Sequence, residues 1–156
     1  MNLRVMTPAD VPAVLELILE LAVYEKAPHE VINTPEKMLQ EGFGENPIYW
    51  GFVVEDNANI VGMAIYYIRY STWKGGCIYL EDLLVTESFR GKGIGKLLFE
   101  AVMRVAYDKK AALMAWQVLD WNEPAINFYK KYNANLDGEW INGKLTQEQL
   151  TAFFAN

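Results

Sequence analysis

The chain has 156 residues, enough for one domain with a sizeable core, and 52% of them are hydrophobic against 22% charged, which excludes disordered, collagen-like and coiled-coil classes. The formal net charge of −6 argues against nucleic-acid binding, which needs clustered cations, and suits a cationic substrate. Cys77 is the single cysteine and His29 the single histidine, so an internal disulfide and a multi-cysteine zinc site are excluded, and a Ser-His-Asp or Cys-His arrangement has only the loop-like APHEV segment to draw on. The apolar run Val11–Ala22 is broken by Glu16 and Glu20 and has neither the length of a membrane span nor the character of a signal peptide. The expectation is a soluble cytoplasmic protein that needs no metal and has no membrane partner.

Leu3–Met6 reads as a short strand, and TPAD then opens a helix, with Thr7 as N-cap, Pro8 at the first helical position and Asp10 closing a capping box. Val11, Val14, Leu15, Ile18 and Ala22 continue it at helical spacing. Thr34 and Pro35 repeat the start signal for a shorter helix near Glu36–Gln40, ended by the glycines of EGFGENP. The period then changes. Tyr49–Glu55 and Ile60–Tyr70 are rich in β-branched and aromatic residues, DNAN between them reads as a hairpin turn, and Cys77–Val85 follows the Gly75-Gly76 break as a third strand. Ile94, Leu97, Leu98, Ala101, Val102 and Val105 trace one apolar helical face, and Ala112–Val118 is another strand. Asn122 caps a helix with Pro124 in its first turn that runs to about Lys131. Leu136–Ile141 reads as a late strand, and TQEQ starts a final helix with Thr146 capping and Gln149 answering. Strands outnumber helices and no linker or repeat is visible, so residues 1–156 are expected to form a single α/β domain around a mixed, mostly antiparallel sheet flanked by helices.

Between the third strand and the long helix stands FRGKGIG, residues 89 to 95. A glycine-rich loop leading into a helix offers free N–H groups and the positive end of a helix dipole to an anion. The P-loop pattern fails, because Arg90 stands where its first glycine belongs and Leu97 where the magnesium hydroxyl belongs. The dinucleotide fingerprint from Gly91 fails at Lys96 and by its position after a hairpin. The pattern R-x-x-G-x-G, as Arg90, Gly93 and Gly95, resembles the signature of the GCN5-related N-acetyltransferases (GNAT). YLEDLLV before it, WNEPAINFYKK after it, GFGENP and YYIRYSTW resemble the diamine/polyamine and thialysine branch of that family over nearly the whole chain.

The resemblance implies a GNAT fold whose splayed central strands bind acetyl-CoA. Leu83, Leu84 and Val85 are expected along the pantetheine arm, and Arg90, Gly91, Lys92, Gly93, Ile94 and Gly95 around the pyrophosphate, with charge from Lys96. Asn122 is expected to hydrogen-bond the pantetheine beside Ala125, which has lost a polar side chain common in the family, and Lys131 to reach the CoA phosphates. The resemblance assigns Glu81 as general base, directly or through water, and Tyr129 as the acid that protonates the departing thiolate. Asp82 points to the opposite side from Glu81 in an ideal strand unless a bulge intervenes. Tyr24, Glu25, Trp73, Glu81 and Asp82 match positions on the substrate side, and Ser71 replaces an acid found in polyamine specialists. No base accompanies Cys77, which favours direct transfer over an acyl-enzyme. The expected function is acetyl transfer from acetyl-CoA to a primary amine of a small cationic acceptor by a homodimer. A protein-amine acetyltransferase and a noncatalytic CoA-binding module remain the alternatives.

Overall fold

A computed structural model describes residues 1–155; Asn156, the last residue of the expected domain, lies outside the described residues. The chain divides into two compact units, Met1–Gln117 and the residues from Val118 onward.

In the first unit, β1 (Asn2–Val5) runs into a short 3-10 turn at Pro8–Asp10, where the Asp10 carboxylate accepts the Thr7 N–H at 2.7 Å, and α1 (Val11–Tyr24) follows. The capping signals of TPAD therefore act as read. Arg4 clamps this corner, donating to Asp10 at 2.7 and 2.8 Å and to Glu55 at 2.9 Å, and it holds the Asp10 carboxyl down at about 2. α2 spans Pro35–Phe43, several residues beyond the expected end, because the helix runs on until the Gly44 N–H bonds the Gln40 carbonyl. β2 (Trp50–Asp56) and β3 (Asn59–Ser71) form the expected hairpin, with Asn57 at φ 48° and Ala58 at φ 63° in the left-handed region that a two-residue turn requires. β4 covers Gly75–Val85. The Gly75-Gly76 pair is no break: it pairs with Ser71 and Tyr70, and the turn falls at Thr72–Lys74.

α3 (Ile94–Asp108) buries Ile94, Leu98, Phe99 and Val102. Leu97, expected on that face, is 45% exposed, and Phe99 takes the inward place, edge-on to the Trp116 ring at 5.3 Å. β5 is only Met114–Ala115, far shorter than Ala112–Val118, and runs parallel to β4. The sheet order is β1-β2-β3-β4-β5. Alternation assigns its faces: Val53, Met63, Ile65 and Leu84 join α1 and α2 in one core, while Gly62 lies under Ile94 and Leu98 of α3 on the other.

In the second unit, α4 (Glu123–Lys130) is capped as expected, the Asn122 Oδ1 accepting the Ala125 N–H at 3.3 Å. α5 (Gln147–Phe154) carries the Thr146–Gln149 capping box. The late strand at Leu136–Ile141 does not form. Asp137 instead accepts the Glu139 N–H in a local turn at 2.9 Å, and Trp140 and Ile141 are exposed. Strands consequently equal α-helices in number among the described residues, five of each, rather than outnumbering them.

Candidate active site

The acids of β4 are arranged by an irregularity. Against β3, Asp82 stands opposite Ile65 and Leu80 opposite Tyr66, so Glu81 is an extra residue without an opposite number, a β-bulge. Alternation resets there. Ile65 and Tyr67 share one face of β3, so their partners Asp82 and Tyr79 share the same face of β4, although three positions apart. In a regular strand those two would face opposite ways. Glu81, two residues past Tyr79, falls on this face too by alternation, and its negative charge acts on the hydroxyls of Tyr67 and Tyr79 as well as on Asp82.

Glu25, one residue past α1, completes the group, its charge also reaching Asp82. Half-buried Asp82 is desolvated, and with the charges of Glu81 and Glu25 added its carboxyl is pushed up to about 7. Partial desolvation raises Glu81 and Glu25 as well, although both keep solvent access. Three carboxylates whose charge burial disfavours, one of them under the added charge of the other two, suit an ammonium group.

Downstream, β4 keeps one edge open. Its ladder with β5 comprises Ile78–Met114 and Tyr79–Ala115, and among the described residues no pairing with β5 continues from Leu80 to Val85. The backbone of Leu83, Leu84 and Val85 is thus bonded to β3 on one side and paired with no strand on the other, where the Val85 carbonyl accepts the Arg90 side chain. The loop then passes through a 3-10 turn at Glu87–Phe89 to Gly91 at φ 77° and Gly93 at φ 82°, the N-cap of α3. A Cβ at either glycine would meet nothing within 4 Å, so the left-handed backbone faces open space. The first bond of the helix runs from the Leu97 N–H to the Gly93 carbonyl at 3.1 Å, which leaves the amides of Ile94, Gly95 and Lys96 ahead of it. These donors, at the positive end of a 15-residue helix, fit a diphosphate.

Arg90 is directed away from its own glycines. Its Nε donates to the Val85 carbonyl at 3.0 Å, and the guanidinium lies 5.3 Å from the Tyr24 ring and 4.0 Å from Glu20. Glu20 also accepts the Thr86 hydroxyl at 2.8 Å and the Glu87 N–H at 3.1 Å. Sequence reasoning passed over Glu20, yet a carboxylate in an apolar helix, one turn before Tyr24, was the signal. Lys92 lies 4.2 Å over the Phe89 ring, and Lys96 pairs with Glu100 at 3.9 Å.

In the second unit, Asn122, Ala125 and Tyr129 fall on one face of α4 by helical spacing. Tyr129 is buried and touches the Phe128 ring at 5.3 Å, and Lys131 is exposed at the C-cap.

A model described as the acetyltransferase (GNAT) family matches residues 13–134. The chain belongs to this family. The acetyltransferase is 42% identical over 129 residues to the thialysine N-epsilon-acetyltransferase of Bos taurus, covering 78% of this chain and 76% of that protein. It is 33% identical over 151 residues to the spermidine/spermine N(1)-acetyltransferase-like protein 1 of Homo sapiens, covering 90% of this chain and 22% of that one. Among solved structures, a tetramutant of the BH1408 protein of Bacillus halodurans superposes with TM-score 0.74 at 25% identity, over 93% of this chain and 100% of that chain. The mixed sheet with flanking helices is thus the GNAT fold.

Within the acetyltransferase, Trp73 does not join the acids. It is 88% exposed at the tip of the β3–β4 turn, and Gly75 to Glu81 alone spans about 20 Å of strand at ~3.3 Å per residue. Ser71 pairs with Gly75 beside it. Cys77 is buried and its thiol donates to the Gly75 carbonyl at 3.3 Å, so it is occupied structurally. A cleft of ≈ 440 Å³ between α1 and the β2–β3 turn is lined by Arg4, Asp10 and Glu55 and includes neither Glu81 nor Asp82.

Proposed function

We propose that the protein transfers acetyl from acetyl-CoA to a primary amine of a small cationic acceptor, of diamine or lysine-like type, by direct attack. The observation that carries this reading is one strand, β4, that presents Glu81 and Asp82 on a single face with Glu25 and then leads into a glycine loop open to an anion. The family match and the names of the relatives support it.

Acetyl-CoA, when bound, supplies an activated thioester. Gly91, Gly93, Ile94 and Gly95 offer amide N–H groups to its diphosphate, Lys92 adds charge, Arg90 braces the start of the loop through the Val85 carbonyl, and Leu83–Val85 offer an open strand edge to the pantetheine. Asn122, Ala125 and Lys131 are assigned to the same cofactor on the strength of the α4 motif. An acceptor ammonium, with a pKa around 10, arrives protonated and is held by Glu25, Glu81 and Asp82. Glu81 takes the proton from its nitrogen, directly or through one water, and Tyr129 returns a proton to the departing sulfur. Tyr129→Phe keeps the ring and removes that proton, so kcat should fall by an order of magnitude or more while CoA binding persists in calorimetry.

The family match runs across the boundary between the two units, which supports treating both as one domain. A cytoplasmic homodimer, with no nucleic-acid partner and no metal requirement, belongs to the same proposal. Exposed Trp140, Ile141, Phe153 and Phe154 support self-association, checked by sedimentation equilibrium, and unchanged turnover after chelation checks the metal. The deciding experiment follows thiol release from acetyl-CoA with putrescine, spermidine, spermine, lysine, thialysine, an arylamine and an N-terminal peptide. Cationic small amines should give the highest kcat/KM. A peptide or arylamine better by tenfold would overturn the acceptor class, and no turnover with any amine would favour a CoA-binding module.

A further inference from the structure

The acid-bearing face of the β3–β4 pair also carries a cation. Along β3, Ile65, Tyr67 and Arg69 share that face, opposite Asp82, Tyr79 and Cys77 of β4. The rings of Tyr67 and Tyr79 meet at 5.2 Å, and the Arg69 guanidinium stands 5.4 Å from the Tyr79 ring centre. The pair of phenols therefore separates two opposite charges: Glu81 and Asp82 at one end, Arg69 at the other, with both signs acting on the Tyr79 hydroxyl. Arg69 is exposed, and among the described residues no carboxylate lies within ion-pair distance of it. Its planar fork of donors is thus kept near the acids without being neutralised by them.

This arrangement discriminates by charge pattern. A linear polyamine laid along the two tyrosines sets a second ammonium against a guanidinium, at a repulsive cost. An amino acid with an amine at the end of its side chain sets an ammonium among the acids and a carboxylate against the fork, where two parallel N–H donors match two oxygens. Arg69 stands opposite Cys77, four residues before Glu81, but its guanidinium reaches to 5.4 Å from the Tyr79 ring, and Tyr79 is two residues, about 7 Å of strand, from Glu81, a span on the scale of a lysine-length chain.

We propose that Arg69 is a specificity-determining residue that holds the α-carboxylate of an amino-acid acceptor while Glu25, Glu81 and Asp82 receive its distal ammonium. This rests on the acetyl-transfer reading above and narrows its acceptor class to lysine-like amino acids.

Lysine and cadaverine, its decarboxylated counterpart, differ only in the group Arg69 is assigned to hold. With wild-type protein, lysine should be the better acceptor, and lysine methyl ester, which lacks the negative charge, should fall toward cadaverine. Arg69→Met should lower kcat/KM for lysine about tenfold, mainly through KM, while cadaverine is unchanged or improved. Arg69→Lys should restore part of the lysine preference. Equal effects of Arg69→Met on both acceptors, or a wild-type enzyme that treats lysine and its methyl ester alike, would overturn the assignment and leave acetyl transfer standing. If wild-type protein acetylates no amine in the panel, it is the acetyl-transfer reading that fails. The ester comparison needs no variant, so the proposal stays testable even if Arg69→Met proves unstable.

Discussion

Asp82 carries an ionisation near pH 7 because desolvation acts on it together with two like charges, Glu81 and Glu25. Its charged form is the one that attracts an ammonium, so kcat/KM for a cationic acceptor should rise with pH through about 7. Asp82→Asn should lower kcat/KM and abolish that inflection, leaving the lower-pH limb set by Glu81; a pH–rate profile of the variant that keeps the inflection would assign it elsewhere. Glu81 and Asp82 were both readable in YLED as candidate acids, but their common face was not. That depends on which residues of β3 lie opposite them, and neighbours across a ladder leave no mark in the order of residues along one strand.

Among the elements, α1 touches both halves of the site. Its Glu20 and Tyr24 hold Arg90 and the start of the glycine loop, and Glu25 just beyond its end acts on Asp82. Glu20→Ala removes two hydrogen bonds to the loop, so CoA should bind about tenfold more weakly by calorimetry, equivalent to ~1.4 kcal/mol, with the KM for the amine little changed. Tighter CoA binding would show instead that Glu20 restrains Arg90. Elements announced by local chemistry were legible: Thr7-Pro8, Thr34-Pro35, Asn122-Pro124 and Thr146 all start helices where their caps put them. Leu136–Ile141 misled because strand propensity is only permission. A strand also needs an edge to pair with, and the Asp137 turn satisfied the backbone locally. Leu97 and Phe99 exchanged places because several side chains border the apolar stripe, and packing against Trp116 decided between them.

For the molecule as a whole, two aspartates set opposing limits on stability. Asp10, held down at about 2 by Arg4, contributes stability that is present above its ordinary value of 3.8 and is lost as pH falls toward 2. Asp82, held up at about 7, binds a proton more tightly folded than unfolded, so its contribution is complete below 3.8 and is lost as pH rises through 7. The melting temperature should therefore decline from about pH 4 toward pH 8, and Asp82→Asn should flatten that decline; an unaltered slope would locate it in other groups. Catalytic readiness and fold stability then pull in opposite directions across neutrality. The bulge at Glu81 adds a constraint of another kind. Removing Leu80 alone would restore regular alternation and separate two carboxylates that now share a face, although both acids were retained. What is inherited at this site is a count as much as a spelling, so a substitution scan of β4, however complete, would leave its most consequential variable untouched.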